Sequence, residues 1–168
     1  MKNFNKAFTL IELLTVVAII GILATVILLN VGKSQEKAKV AKAISSIDTV
    51  KKALGMYRTD TRKWPASFVA STSSNPLIVS DEVSGWGGPY IDTWPKLPWG
   101  ADGVIDWTLG ADKLSGTILL NTTTSPIPDR SMQEIDYKLD DNNLNTGNIT
   151  KVGGKLKIQM VTSDKLTF

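Results

Sequence analysis

The sequence predicts an α+β protein. One long N-terminal α-helix, its first half membrane-spanning and its second half amphipathic, packs on a small antiparallel β-sheet head. Three observations carry that expectation. Residues 8–29 read FTLIELLTVVAIIGILATVILL, 22 residues with Glu12 as the only charge. No proline occurs between Phe8 and Lys63, so nothing forces the helix to end with the apolar run. Beyond Trp64-Pro65 the chain turns to clusters of Gly, Pro and Trp and then to short alternating runs, the pattern of turns and half-buried strands.

At 1.5 Å per residue the apolar run forms a helix of about 33 Å, enough for a hydrocarbon core of roughly 30 Å. A secretory signal peptide would have an apolar region of about 7–15 residues closed by a small-residue cleavage site. This run is longer and unbroken, and its apolar residues occupy every face, unlike an interfacial amphipathic helix. Residues 8–32 are therefore expected to span. From 33 to 63 the apolar positions are Val40, Ile44, Ile47, Val50, Leu54 and Tyr57, at helical spacing, with lysines at 33, 37, 39, 42, 51 and 52 on the other faces. The expected element is one helix of about 48 residues. Gly21, Gly32 and Gly55 are weak points of about 1 kcal/mol each against alanine, with Gly32 the expected flex site.

Residues 64–168 form the predicted head. The stretches 67–76 and 85–103 read as loops. Strands are predicted at 104–109 and 117–120. A short helix is expected over 131–139, with Ser131 and Glu134 at capping-box spacing and Met132, Ile135 and Leu139 sharing a face. Two alternating runs around Gly153-Gly154 predict a terminal hairpin.

Composition excludes much chemistry. With no cysteine there is no disulfide framework, thiol nucleophile or Cys-ligated metal, and with no histidine there is no imidazole base or ligand. The formal charge of +3 is unevenly placed: +2 in residues 1–7, −1 in 8–32, +6 in 33–63 and −4 in 64–168. The basic excess is thus one helical block, expected as a solvated or intersubunit face, and nucleic acid is not an expected partner.

A lone acid inside a spanning helix, costing on the order of 3 kcal/mol at a bilayer centre, calls for a reason. Lys6-Ala7-Phe8-Thr9-Leu10-Ile11-Glu12-Leu13-Leu14, after a short basic leader, resembles the processing site of type IV prepilins and pseudopilins. The resemblance implies removal of residues 1–7 by a prepilin peptidase between Ala7 and Phe8, N-methylation of Phe8, and a type IV pilin-like fold. Ala7 stands where that family usually has glycine. It further implies polymerisation of the chain with itself through the N-terminal helix, driven by a pilus or secretion assembly machinery. An axially shifted neighbour could set its Phe8 amine beside Glu12, so that two costly charges neutralise one another.

Ala53-Leu54-Gly55-Met56-Tyr57-Arg58-Thr59-Asp60 with Trp64-Pro65 is similar to the helix exit of the major pseudopilin of type II secretion systems. Gly87-Gly88-Pro89-Tyr90-Ile91, Leu97-Pro98-Trp99-Gly100 and Ile105 to Asp112 resemble its head in the same order. The tail from Ile127-Pro128 to Asp140-Asp141 looks more like a type IV pilin. The helix proline and the C-terminal cysteine pair usual in the family are missing. The implied location is the cytoplasmic membrane, as a single-pass precursor in contact with lipid and with its head outside, then a periplasmic endopilus or a cell-surface pilus. Charge counting across the span points the other way, because the lysines after it outnumber those before it.

The resemblance also implies calcium, bound in the loop after the Leu-Gly-x-Asp turn. Asp112 matches that Asp, but the acidic pair stands 28 residues on, at Asp140-Asp141. Asp141-x-Asn143-x-Asn145 alternates oxygen side chains as a calcium loop would, and it equally reads as an Asn/Asp/Gly turn. Five tryptophans between Trp64 and Trp107 read as core filling under one helix or as a stacking surface. The alternative function is thus a membrane-tethered, monomeric module capturing polysaccharide or DNA on a Trp-rich head. No arrangement of a nucleophile or carboxylate pair points to an enzyme.

Overall fold

The computed structural model describes residues 8–69 and 74–161, without the side chains of residues 26–31 and 161. Helix α1 runs Leu10–Thr61, 52 residues, and continues through Gly32. The chain divides into two compact units, one ending at Ala38 and one beginning at Lys39.

In the second unit, α1 from Lys39 presents Val40, Ala43, Ile47, Val50, Ala53, Leu54 and Tyr57 to the core, all buried. These are the positions of the helical period with Ala43 and Ala53 added, except that Ile44 is only half-buried against the core. The helix stops where Arg62 takes a left-handed φ of 59°. Its N–H returns to the Arg58 carbonyl at 2.8 Å, closing an end carbonyl as a C-terminal cap does. The Arg58 guanidinium then lies 4.7 Å over the Trp64 ring.

Strands β1 (Val104–Leu109), β2 (Ser115–Asn121), β3 (Ile149–Val152) and β4 (Lys155–Val161), with helix α2 (Asp129–Leu139) between β2 and β3, complete the order. They pair in one antiparallel sheet, β1-β2-β4-β3. Inward residues alternate along β1 and β2, so that Ile105, Trp107, Ile118 and Leu120 are buried. Ile149, Leu156 and Ile158 join them from β3 and β4, and Met132 and Ile135 from α2. The outer edge of β1 is covered by Phe68, which exchanges both backbone hydrogen bonds with Trp107 at 3.0 Å.

The expected strands and the Gly153-Gly154 hairpin are present. The capping box is not. Helix α2 starts two residues earlier than expected, with Pro128 at its N-cap and no side-chain cap hydrogen bond. Ser131 is instead buried inside the first turn. Glu134 pairs with Lys138 at 3.4 Å. Proline's fixed φ suits a helix start, and it moves the boundary ahead of the Ser-x-x-Glu spacing.

The loops hold by side-chain ties. Tyr57 donates to Asp81. Tyr90 donates to Asp60 at 3.0 Å, and the Gly87 N–H donates to Tyr90 at 2.9 Å. Burial pushes the Tyr57 hydroxyl well above its ordinary range, with Asp81 adding to the effect. Asp102 ties the segment after β2 by accepting from the Thr123 hydroxyl, from the Thr123 N–H at 2.6 Å and from the Thr124 N–H at 2.9 Å. The Thr123 hydroxyl bond, before all else, holds the Asp102 carboxyl well below its usual range.

A carboxylate with a depressed native pKa contributes stability that is complete above the ordinary Asp value near 4 and is lost as pH falls below it. Thermal melts of wild type and Asp102→Ala should therefore differ most at pH 7 and converge toward pH 2. A gap that stays constant would remove Asp102 as the source.

Candidate functional site

Helix α1 opens on Thr9, and Thr9 and Glu12 cap it reciprocally. The Thr9 N–H and hydroxyl each donate to Glu12 Oε2 at 2.8 Å, and the Glu12 N–H donates to Thr9 Oγ1 at 3.3 Å. This is a capping box, legible in the sequence as Thr-x-x-Glu at the start of an apolar run. It gives Glu12 a local role that the charge argument alone misses. Phe8 is 84% exposed, and Leu10, Ile11, Leu13, Leu14, Val16 and Val17 are exposed with it. Ala7 lies outside the described residues. Every described side chain from Phe8 to Thr25 is exposed, with Glu12 the one charge among them. So continuous an apolar surface marks a segment that is covered by lipid or by protein. Among the described residues, no helix is long and apolar enough to cross a membrane.

The second unit settles the role of the tryptophans. None of the five is exposed: Trp64, Trp99 and Trp107 are buried and Trp86 and Trp94 half-buried. Four indole N–H groups donate to backbone carbonyls at 2.8–3.1 Å: Trp64 to Leu114, Trp86 to Pro76, Trp94 to Ile105 and Trp107 to Pro65. They close a thin core and leave no stacking platform, which removes the feature on which the monomeric binding module rested. The lysines at 33, 37, 42 and 52 are exposed, and Lys52 meets Asp48 at 2.8 Å.

The three candidate metal ligands do not meet. Asp112 sits in the β1–β2 turn, where its Oδ1 accepts from the Leu114 N–H at 3.0 Å, the Ser115 N–H at 3.1 Å and the Ser115 hydroxyl at 2.9 Å. These bonds, that from Leu114 first, hold its carboxyl below the usual range. Asp140 and Asp141 lie at the end of α2, and the structure joins them with Asp136. One carboxylate oxygen of each falls within 4.8 Å of the others.

Asp140 Oδ2 accepts from the Asn148 N–H at 2.5 Å and the Ile149 N–H at 2.8 Å. Asp141 accepts from the Asn143 N–H at 2.9 Å and the Thr146 hydroxyl at 2.6 Å. Asp136 is fully buried and neither of its oxygens has a hydrogen-bond partner. Burial, then the Asp141 and Asp140 charges, push its carboxyl up, and the Asn143 N–H, which is bonded to Asp141, only partly opposes them. Asp136 escaped the sequence reading, although its i,i+4 spacing from Asp140 on one helix face was there to be read.

Residues 2–28 match the family described as prokaryotic N-terminal methylation motif. Residues 34–106 match the family described as PilW, C-terminal. The chain is 36% identical over 129 residues to type II secretion system core protein G of Vibrio cholerae, covering 69% of this chain and 88% of that one. The corresponding protein of Pectobacterium carotovorum is 31% identical over 125 residues, covering 67% and 80%. That of Escherichia coli K12 is 35% identical over 107 residues, covering 60% and 71%. No solved structure matches the chain.

Proposed function

Because this chain belongs to the family of type II secretion system core protein G, the major pseudopilins, we propose that it is the repeating subunit of a type IV pilus-like filament. The observation that carries this reading is the uncovered apolar helix from Phe8, with its single acid, within the segment that matches a methylation motif. Burying that surface against like helices removes it from water at roughly 25 cal/mol per Å², a strong drive to assemble once it leaves lipid.

In this reading a prepilin peptidase cuts between Ala7 and Phe8, and the freed Phe8 amine is methylated. The 22-residue apolar run anchors the subunit in the cytoplasmic membrane until assembly, with the Lys39–Phe168 unit outside. The secretion machinery then stacks copies so that the Phe8 amine of one meets Glu12 of another. The names of the relatives support a secretion endopilus as the destination. The role is structural, carried by surfaces instead of by a reaction centre.

Mass spectrometry of the protein from membranes tests the first step. The expected N-terminus is Phe8 carrying one methyl group. An intact chain still beginning at Met1 in assembled material would overturn the proposal.

A further inference from the structure

We propose that Asp136, Asp140 and Asp141 form a binding site for a hard divalent cation of calcium's size at the junction of α2 and β3. The site is distinct from the Asp112 turn, and it does not depend on the filament reading. Three facts converge on it. The three carboxylates each offer an oxygen within 4.8 Å of the others, about the span of two oxygens on opposite sides of an ion bound at 2.3–2.6 Å. Asp136 is fully buried and both its oxygens are without a hydrogen-bond partner. Among the described residues, none of the three acids forms an ion pair.

A buried carboxylate with no hydrogen bond formed to either oxygen, next to two more carboxylates, is costly, because desolvation and like-charge repulsion add. The position makes this worse. Asp140 is the C-cap of α2, where the helix dipole is already negative. A divalent cation removes both costs at once. With oxygen donors alone and no histidine or cysteine in the chain, the set suits a hard ion and not zinc or copper. Magnesium keeps most of its water and is held by one or two carboxylates, so three converging ones favour calcium. Asp141 is exposed and Asp140 half-exposed, which leaves the outer side open to water ligands.

The loop is built around these oxygens. Gly147 has φ +74°, and a Cβ there would fall 2.2 Å from Asp140 Oδ2 and 2.9 Å from Asp141 Oδ2. The backbone at 147–149 therefore wraps the carboxylates closely, and Asp140 carries the N–H groups that lead into β3. A bound ion would clamp the end of α2 to the start of β3.

By contrast, Asp112, the acid that the family resemblance points to, does not fit. Its Oδ1 is taken by three donors from Leu114 and Ser115. Among the described residues, the one cluster of three acids is the one at α2.

The test uses the full chain in detergent micelles, stripped with EGTA and titrated with CaCl2, followed by calorimetry and thermal melts. Wild type should bind one ion and gain thermal stability that EGTA reverses. Asp112→Asn should keep both. Asp136→Asn and Asp141→Asn should each lose affinity on the order of tenfold or more, and with it the calcium-dependent shift. In EGTA, Asp136→Asn should melt at or above wild type, since it removes a buried charge at constant volume. Absence of a calcium effect in wild type, persistence of the full effect in either cluster variant, its loss in Asp112→Asn alone, or a melt of Asp136→Asn below wild type in EGTA would each overturn the site.

Discussion

Cells carrying Glu12→Gln are expected to accumulate cleaved, membrane-inserted subunit and to assemble no filaments. The physical contrast is between the two roles that Glu12 can play. As the partner of Thr9 it caps its own helix through a pair of 2.8 Å hydrogen bonds. A glutamine at that place still completes a capping box, so the local structure survives the substitution. What glutamine cannot supply is the negative charge that, in the proposed filament, would neutralise a methylated Phe8 amine of an adjacent copy. In an apolar bundle an unpaired ammonium is strongly destabilising, by several kcal/mol per subunit, and the loss repeats along the polymer.

Thr9→Ala sharpens the comparison. It removes the cap, at about 1 kcal/mol, and leaves the charge. Filaments should persist in Thr9→Ala and vanish in Glu12→Gln, counted by electron microscopy of sheared material. If the two variants behave alike, the role of Glu12 is confined to its own helix, and the intersubunit pairing is wrong.

The second large effect is expected in the core. Trp107→Ala should destabilise the sheet unit by about 3–5 kcal/mol, a fall in Tm on the order of 10–20 °C. Trp107 is 1% exposed, packs at 5.4 Å against the Trp64 ring and donates its indole N–H to Pro65 at 3.0 Å. It therefore joins β1 to the segment leaving α1. Its ring lies so close over the neighbouring strand that a Cβ at Gly116 would sit 2.0 Å from Cη2 and 2.3 Å from Cζ2. Gly116→Ala should accordingly cost about 1–3 kcal/mol by overpacking.

The two substitutions share one space, so their effects cannot add. In a Trp107→Leu background Gly116→Ala should become nearly neutral. Thermal denaturation of the four proteins in the cycle measures this, and additive shifts would show that the ring and the glycine do not compete.

These two sites differ in how far the sequence disclosed them. Glu12 was conspicuous, because one acid in 22 apolar residues is a local anomaly. Its hydrogen bonds to Thr9 were equally local, three residues away, and the Thr-x-x-Glu spacing announces them. Gly116 fell just outside the predicted strand 117–120 and carried no signal of its own, although β2 includes it. Its necessity comes from the ring of a residue nine positions earlier, brought over it by the pairing of β1 with β2, in which Leu109 faces Gly116. Ser131 and Glu134 show the opposite failure: a correct local spacing that did not act, because Pro128 started α2 earlier. The tail acids lie between these cases. Asp140-Asp141 was visible as a pair, while the burial of Asp136 depends on how the end of α2 sits against β3.

By itself the sequence determined the long helix, the four strands close to their limits, the hairpin at Gly153-Gly154 and the exposed apolar start with its lone acid. Each of these follows from short-range periodicity, from turn chemistry or from the absence of proline, and such signals lie within a few residues of what they specify. The tertiary structure alone decided the sheet order β1-β2-β4-β3, the burial of the tryptophans, and the meeting of Asp136 with Asp140 and Asp141 apart from Asp112. The reason is physical. Strand order and side-chain burial are set by which apolar faces close on one another across the chain, and a carboxylate's surroundings are known only once that closure has placed its neighbours.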